Sequence, residues 1–256
     1  MKKSFLTAAF FACLFAANSQ SNDTTISIST APKKLPEKPK KEWSKLDLSN
    51  RSNDHLMLQY GADTWTGTND SVSPKGFSRF FNAYIMLDKP FRGDPRFSIG
   101  LGAGIGSSNM FFKNVYVDLK SNASKLPFQR ADTTNHFKKF KVTTIFLEAP
   151  IELRFSSKPD QSNSSFKIAL GVKVGTLLKA YTKGKTLLDK NGNTINNYIE
   201  KESDKRFFNG TKLAATARIG YGIFSLYGAY QVTSVLKDGT GPNVKPYSIG
   251  LAISGL

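Results

Sequence analysis

The sequence predicts an all-β chain: an eight-stranded antiparallel up-and-down transmembrane β-barrel with long extracellular loops and short periplasmic turns. Three observations carry this. Eight stretches alternate apolar and polar residues with period two. No segment beyond the N-terminus offers the ~20 consecutive apolar residues that a spanning helix needs. The links between the stretches are alternately short and long.

The first stretch, "HLMLQYGADTW", sets Leu56, Leu58, Tyr60 and Ala62 against Met57, Gln59, Gly61, Asp63 and Trp65. In the second, Phe81, Ala83, Ile85 and Leu87 oppose Asn82, Tyr84, Met86 and Asp88. The third, "RFSIGLGAGIG", alternates Phe97, Ile99, Leu101, Ala103 and Ile105 with serine and then Gly100, Gly102, Gly104 and Gly106. The glycines match a dinucleotide-binding fingerprint only superficially, because they keep strict period two and no helix follows; a glycine face instead leaves room for bulky neighbours.

The fourth stretch puts Leu147, Ala149, Ile151, Leu153 and Phe155 on one face and Glu148, Pro150, Glu152 and Arg154 on the other. The fifth, "FKIALGVKVGTLLKAY", places Lys167, Lys173 and Lys179 between apolar neighbours. The last three continue the pattern. They are "KLAATARIGY", with Lys212 and Arg218 on its polar face, the run Phe224 to Thr233, and "YSIGLAIS". A face of Phe, Ile, Leu and Val suits lipid, and a charged opposite face suits an enclosed lumen.

Connections select the architecture. "KPFRGDP", "SSKPDQSNS" and little more than "GI" are short, while Ser107–Phe140 and roughly Thr182–Thr211 span about thirty residues each, well above ordinary loop lengths. In a meander, long loops then gather at one end and tight turns at the other, as in outer-membrane barrels. Closure also pairs every backbone group, which a bilayer demands and an open sheet fails to supply. A soluble barrel with inverted faces fits the periodicity alone; the one-sided loops, the missing cysteines and the tyrosines near strand ends favour the membrane.

The flanking segments agree. Residues 1–19 read as a signal peptide, with Lys2 and Lys3 ahead of the apolar run Phe5 to Ala17. Its Cys13 is the single cysteine of the chain. Residues 20–53, including "APKKLPEKPKKEWSK", read as a Lys/Pro-rich periplasmic tether that buries too little to offset its ordering entropy, and residues 54–256 as the barrel. The net charge of +17 raises nucleic acid as a partner, but dispersed lysines and export argue against it; outer-membrane lipid and other envelope or secretion proteins are the expected partners.

Candidate chemistry concentrates in the lumen, where Glu148, Glu152, Arg154, Lys167, Lys173, Lys179, Lys212 and Arg218 form a charge network. An ion path is one reading; an ion-pair plug is the stronger one, because eight strands leave little bore and buried charges persist where paired. Glu148 and Glu152 lie about 13 Å apart along a strand, beyond the spacing of glycosidase pairs. His55 and His136 sit in no nucleophile setting. Asp189, Asn191, Asn193 and Glu200 fall at four positions of a calcium loop, but Thr194 stands where that loop needs glycine; a type I′ turn at Asn191–Gly192, extending the long loop as a ribbon, explains the segment better. No catalytic residue and no cofactor is expected. A small porin is the alternative to a non-enzymatic scaffold, and a barrel enzyme acting on lipids is a third possibility that the poverty of histidine opposes.

"NDHLMLQYGADTW", "LEAPIELRF", "FKIALGVKVG", "RIGYGIFSLYGAYQV" and "KPYSIGLAISGL" resemble the PorT-like outer-membrane β-barrel family of Bacteroidetes. The resemblance spans roughly Asp54 to Leu256. It implies an outer-membrane location, an eight-stranded barrel and, for the founding member, a part in protein secretion.

Overall fold

The computed structural model describes residues 55–67, 77–112, 115–130 and 135–255; the expected signal peptide and tether lie outside them. The described strands are β1 (Leu56–Thr66), β2 (Arg79–Pro90), β3 (Phe97–Phe112), β4 (Val115–Val117), β5 (Phe128–Arg130), β6 (His136–Ser156), β7 (Phe166–Leu188), β8 (Thr194–Ser203), β9 (Thr211–Tyr221), β10 (Phe224–Gln231) and β11 (Lys245–Ser254). Eight of them close a ring, β1-β2-β3-β6-β7-β9-β10-β11, with every neighbouring pair antiparallel and β11 returning to β1. Among the described residues, strand β8 pairs only with the upper part of β7, and β4 pairs with β5 as a separate small hairpin.

Facing follows the alternation in the sequence. Leu87, Leu101, Leu153, Leu170, Leu226 and Leu251 are all exposed on the outer wall, while Met57, Tyr84, Met86, Glu148, Tyr227 and Ala252 are fully buried inside. An apolar belt of this kind around the whole ring is far larger than a water-facing surface tolerates. Aromatic residues edge the belt: Phe97, Phe155, Phe166, Tyr221 and Phe224 at the short-turn end, and Tyr60, Phe81, Tyr230 and Tyr247 toward the long loops. Such girdles mark the two interfaces of a membrane barrel.

The tight turn between β9 and β10 consists of Gly222 and Ile223, with Gly222 at φ 62°. A two-residue hairpin with glycine in its first central position matches the twist of the strands it joins. At the same end, Arg96 holds Asp94 at 2.6 Å and closes the turn between β2 and β3 on itself.

Three expectations need correction. Ser107–Phe112, paired with β6, and His136–Phe140, paired with β7, both expected as loop, are strand, so β3 and β6 rise well above the belt. The ribbon β7–β8 forms as expected, but its turn is not type I′. Gly192 has φ 88° while Asn191 is not in the left-handed region. The Gly192 N–H donates to the Asp189 carbonyl at 3.0 Å and the Asp189 N–H to the Asn193 carbonyl at 2.9 Å, the pattern of a type I turn closed by a left-handed residue. Finally, Lys179 does not face the lumen. Ile145 pairs with Lys179 and Phe146 with Leu177, so Leu178 is an extra residue, a β-bulge that flips the phase of β7. Below it Lys173 and Leu177 point inward; above it Ala180 and Thr182 do so and Lys179 is exposed outside.

Candidate functional site

The lumen holds two charged layers. In the upper one, Glu148, 1% exposed, takes Lys173 at 3.1 Å and Lys212 at 2.8 Å. Tyr84 donates its hydroxyl to the same carboxylate. The Lys173 ammonium also reaches the hydroxyls of Tyr84 at 3.2 Å and Tyr227 at 3.3 Å, and Lys212 lies over the Phe146 ring. One carboxylate thus joins four strands, β2, β6, β7 and β9.

In the lower layer, Glu152 is gripped by Arg218 through Nη2 at 2.6 Å and Nε at 3.2 Å, and by Arg154 Nε at 3.0 Å. Arg154 bridges on to Asp88 at 3.4 Å, which in turn accepts the Ser98 hydroxyl at 2.7 Å. The forked guanidinium contact is the strong form of charge pairing. Near the top of β1, Asp63 accepts hydroxyls from Ser108 and Ser248.

The glycine column of β3 makes these layers possible. A Cβ on Gly100 would come within 2.5 Å of the Arg154 guanidinium, and one on Gly106 within 2.5 Å of the Glu148 carboxylate. The four-residue spacing of Glu148 and Glu152 sets the separation of the layers; Glu148 draws Lys173 from β7 and Lys212 from β9, and Glu152 draws Arg154 from its own strand and Arg218 from β9.

Of the eight lumen residues named from sequence, Glu148, Glu152, Arg154, Lys173, Lys212 and Arg218 come together. Lys167 is half-buried at the bottom rung, paired in register with Ser156 and Gly220. Lys179 is excluded by the bulge. Tyr84, Tyr227, Asp88 and Asp63 complete the network without having been singled out, although the alternation already put each on the inward face. The four calcium-loop positions do not converge. Asp189 accepts the N–H groups of Asn191 and Asn193, each at 2.8 Å. Glu200 pairs with Gly184, six residues down β8 from the Leu188–Thr194 rung, a run of about 20 Å.

Above the charged layers the interior turns apolar. Trp65, Met110, Phe112, Phe140, Val142, Phe146, Leu177 and Ala180 form the wall of one buried cluster. Val117, Leu119 and Leu126 from the β4–β5 segment, Phe207 and Phe208 before β9, and Val235, Leu236 and Val244 before β11 fill it from above. Backbone bonds tie these segments together: Leu126 N–H to Thr240 at 2.7 Å, Lys237 N–H to Phe207 at 2.9 Å and Asn209 N–H to Val235 at 2.9 Å. Between this plug and the Lys173–Lys212 layer remains a cavity of about 30 Å³, room for one or two waters.

A closed ring, aromatic girdles and an apolar outer belt are the marks of an outer-membrane barrel. The family model described as outer membrane protein beta-barrel domain matches residues 48–233. The chain belongs to this family. This outer membrane β-barrel protein is also similar to solved structures of Ail, the attachment invasion locus protein of Yersinia pestis. One matches at 14% identity and TM-score 0.35, covering 80% of this chain and 97% of that one. Another, Ail in complex with the heparin analogue sucrose octasulfate, matches at 12% identity and TM-score 0.28, covering 78% and 94%. No curated protein matches the sequence.

Proposed function

We propose that this outer membrane β-barrel protein is a closed, non-enzymatic scaffold that presents its long-loop end at the cell surface to other envelope components. The observation that carries this reading is the double closure of the lumen. Glu148 and Glu152 knit the walls together with Lys173, Lys212, Arg154 and Arg218, and the apolar plug seals the bore above them. An ion crossing this interior would have to break paired charges and then pass the apolar plug, both costly in a water-poor lumen. The plug and the paired charges favour the scaffold over the porin alternative.

Orientation follows the rule for such barrels, with long loops outside and tight turns in the periplasm. The PorT-like stretches support a secretion-associated role as the finer form of the reading. In planar bilayers the purified protein is expected to give no steady unitary conductance; steady steps abolished by Lys173→Ala would reverse the assignment to a porin. Purification from native envelopes is expected to bring down stoichiometric partners, and a secretion role requires secretion components among them.

A further inference from the structure

Above the bulge, three lysines stand side by side on the outer wall. Lys141 pairs in register with Lys183, and Lys183 pairs in register with Lys201 on β8. The next rung up on the same face repeats the arrangement with Lys139 opposite Lys185. Below them the rung Asn109, Thr143, Tyr181 and Ser203 contains no acid, and Arg79 adjoins it through its pairing with Asn109. Arg79, Lys183 and Lys201 all lie within electrostatic reach of Lys141. Like charges directly opposite on a sheet destabilise it, and these rungs carry no carboxylate to relieve them.

The cluster adjoins grease. Arg79 and Lys141 flank the Phe111 ring at 5.5 and 5.8 Å, and Lys201 lies 4.3 Å over the Tyr181 ring. A groove of about 320 Å³ opens here, lined by Tyr60, Arg79, Phe81, Asn109, Phe111 and Lys141. Its floor, Tyr60 and Phe81, belongs to the upper girdle of the belt. Lys141 is four residues above Ile145 on β6, about 13 Å along the strand and so about 10 Å in height at the usual ~40° tilt. That is the headgroup layer of a bilayer.

We propose that this wall binds the phosphate-bearing headgroup of an outer-leaflet glycolipid, with Lys141, Lys183, Lys201 and Arg79 on the phosphates and the aromatic groove against the first part of an acyl chain. The proposal rests on the outward orientation of the long-loop end. A bound phosphate would neutralise the facing lysines, and the apolar floor distinguishes a lipid from a free anion.

The test uses the full protein in detergent, folded as judged by its heat-dependent gel mobility, and titrates it with a synthetic diphosphorylated glucosamine-disaccharide lipid, with the dephosphorylated lipid and with inorganic phosphate. The diphosphorylated lipid should bind, the other two at least tenfold more weakly. The triple change Lys141→Gln, Lys183→Gln and Lys201→Gln should weaken binding on the order of a hundredfold, the corresponding triple change to Arg should preserve it, and Lys89→Gln at the short-turn end should leave it unaltered. Equal binding by the dephosphorylated lipid, equal binding by inorganic phosphate, or an unaffected triple Gln variant would each overturn the proposal. Orientation is checked separately by labelling Asn191→Cys on intact cells with an impermeant reagent, so failure of the site and failure of the orientation give different results.

Discussion

Below the bulge at Leu178 the barrel is apolar outside and charged inside; above it the outside carries Arg79, Lys141, Lys183 and Lys201 while the inside holds Trp65, Phe112, Phe140 and Ala180. The two halves share strands, register and closure, so the inversion comes from the solvent. Lipid surrounds the lower half, and there the polar groups must be satisfied within the ring. Water surrounds the upper half, which is organised like a soluble barrel with a hydrophobic core. The bulge, sitting where lipid gives way to water, lets β7 exchange its faces between them.

If the lower half depends on internal charge pairing, Glu148→Ala should be the most damaging single change, because it leaves Lys173 and Lys212 buried without their anion. A loss of about 3–5 kcal/mol is expected, read by urea unfolding in lipid vesicles, and replacing Glu148 and Lys173 together by Met should cost less than the single change. If the upper half is a core, Phe112→Ala should cost about 3–5 kcal/mol in the same assay and expose the loops to protease, whereas Glu148→Ala should leave loop cleavage sites unchanged in the molecules that remain folded. The outer wall sharpens the contrast. Leu170→Arg in the belt should cost about 2–4 kcal/mol, while Lys183→Leu above the bulge should change stability by about 0.5 kcal/mol at most.

The smallest effect concerns how the β4–β5 segment docks on the ribbon. Glu202 on β8 lies within electrostatic reach of Tyr116 and Asp118 in the β4–β5 segment. Its carboxyl is raised above the ordinary glutamate range, first by burial and then by the charges of Asp118 and Glu200. A carboxyl raised in the folded state binds its proton more readily there than in the unfolded chain. Docking should therefore tighten as the pH falls through the raised value and weaken as it rises again. Hydrogen exchange at Leu119 should follow that direction between mildly acidic and neutral pH, and Glu202→Gln should abolish the dependence.

The same contrast explains what the sequence discloses. In the lipid belt a single solvent acts on one face of every strand, so Leu147 to Phe155 and Phe224 to Val232 show their alternation openly. Above the belt that signal changes sense. Met110 and Phe112 point inward and Phe111 outward beside two cations, so the apolar run conceals a strand that continues beyond Gly106. The adjacent leucines Leu177 and Leu178 are the one trace of the bulge, and strict period two carried past them misplaced Lys179. The lumen network was legible where formal charges stood on an inward face; Tyr84 and Tyr227 carry no charge, and Asp88 and Asp63 sat on strands whose other inward residues are neutral. Lid segments such as Phe207–Phe208 and Val235–Leu236 follow no strand period, because they are held by the core they fill.

Spin labels on the outer wall test the inversion most directly. In vesicles, labels at Leu170 and Leu251 should be relaxed by oxygen and shielded from a water-soluble nickel chelate, while labels at Lys183 and Lys201 should show the reverse. Equal accessibility to the chelate at all four positions would mean that no lipid boundary lies at the bulge, and the account of both halves would fail.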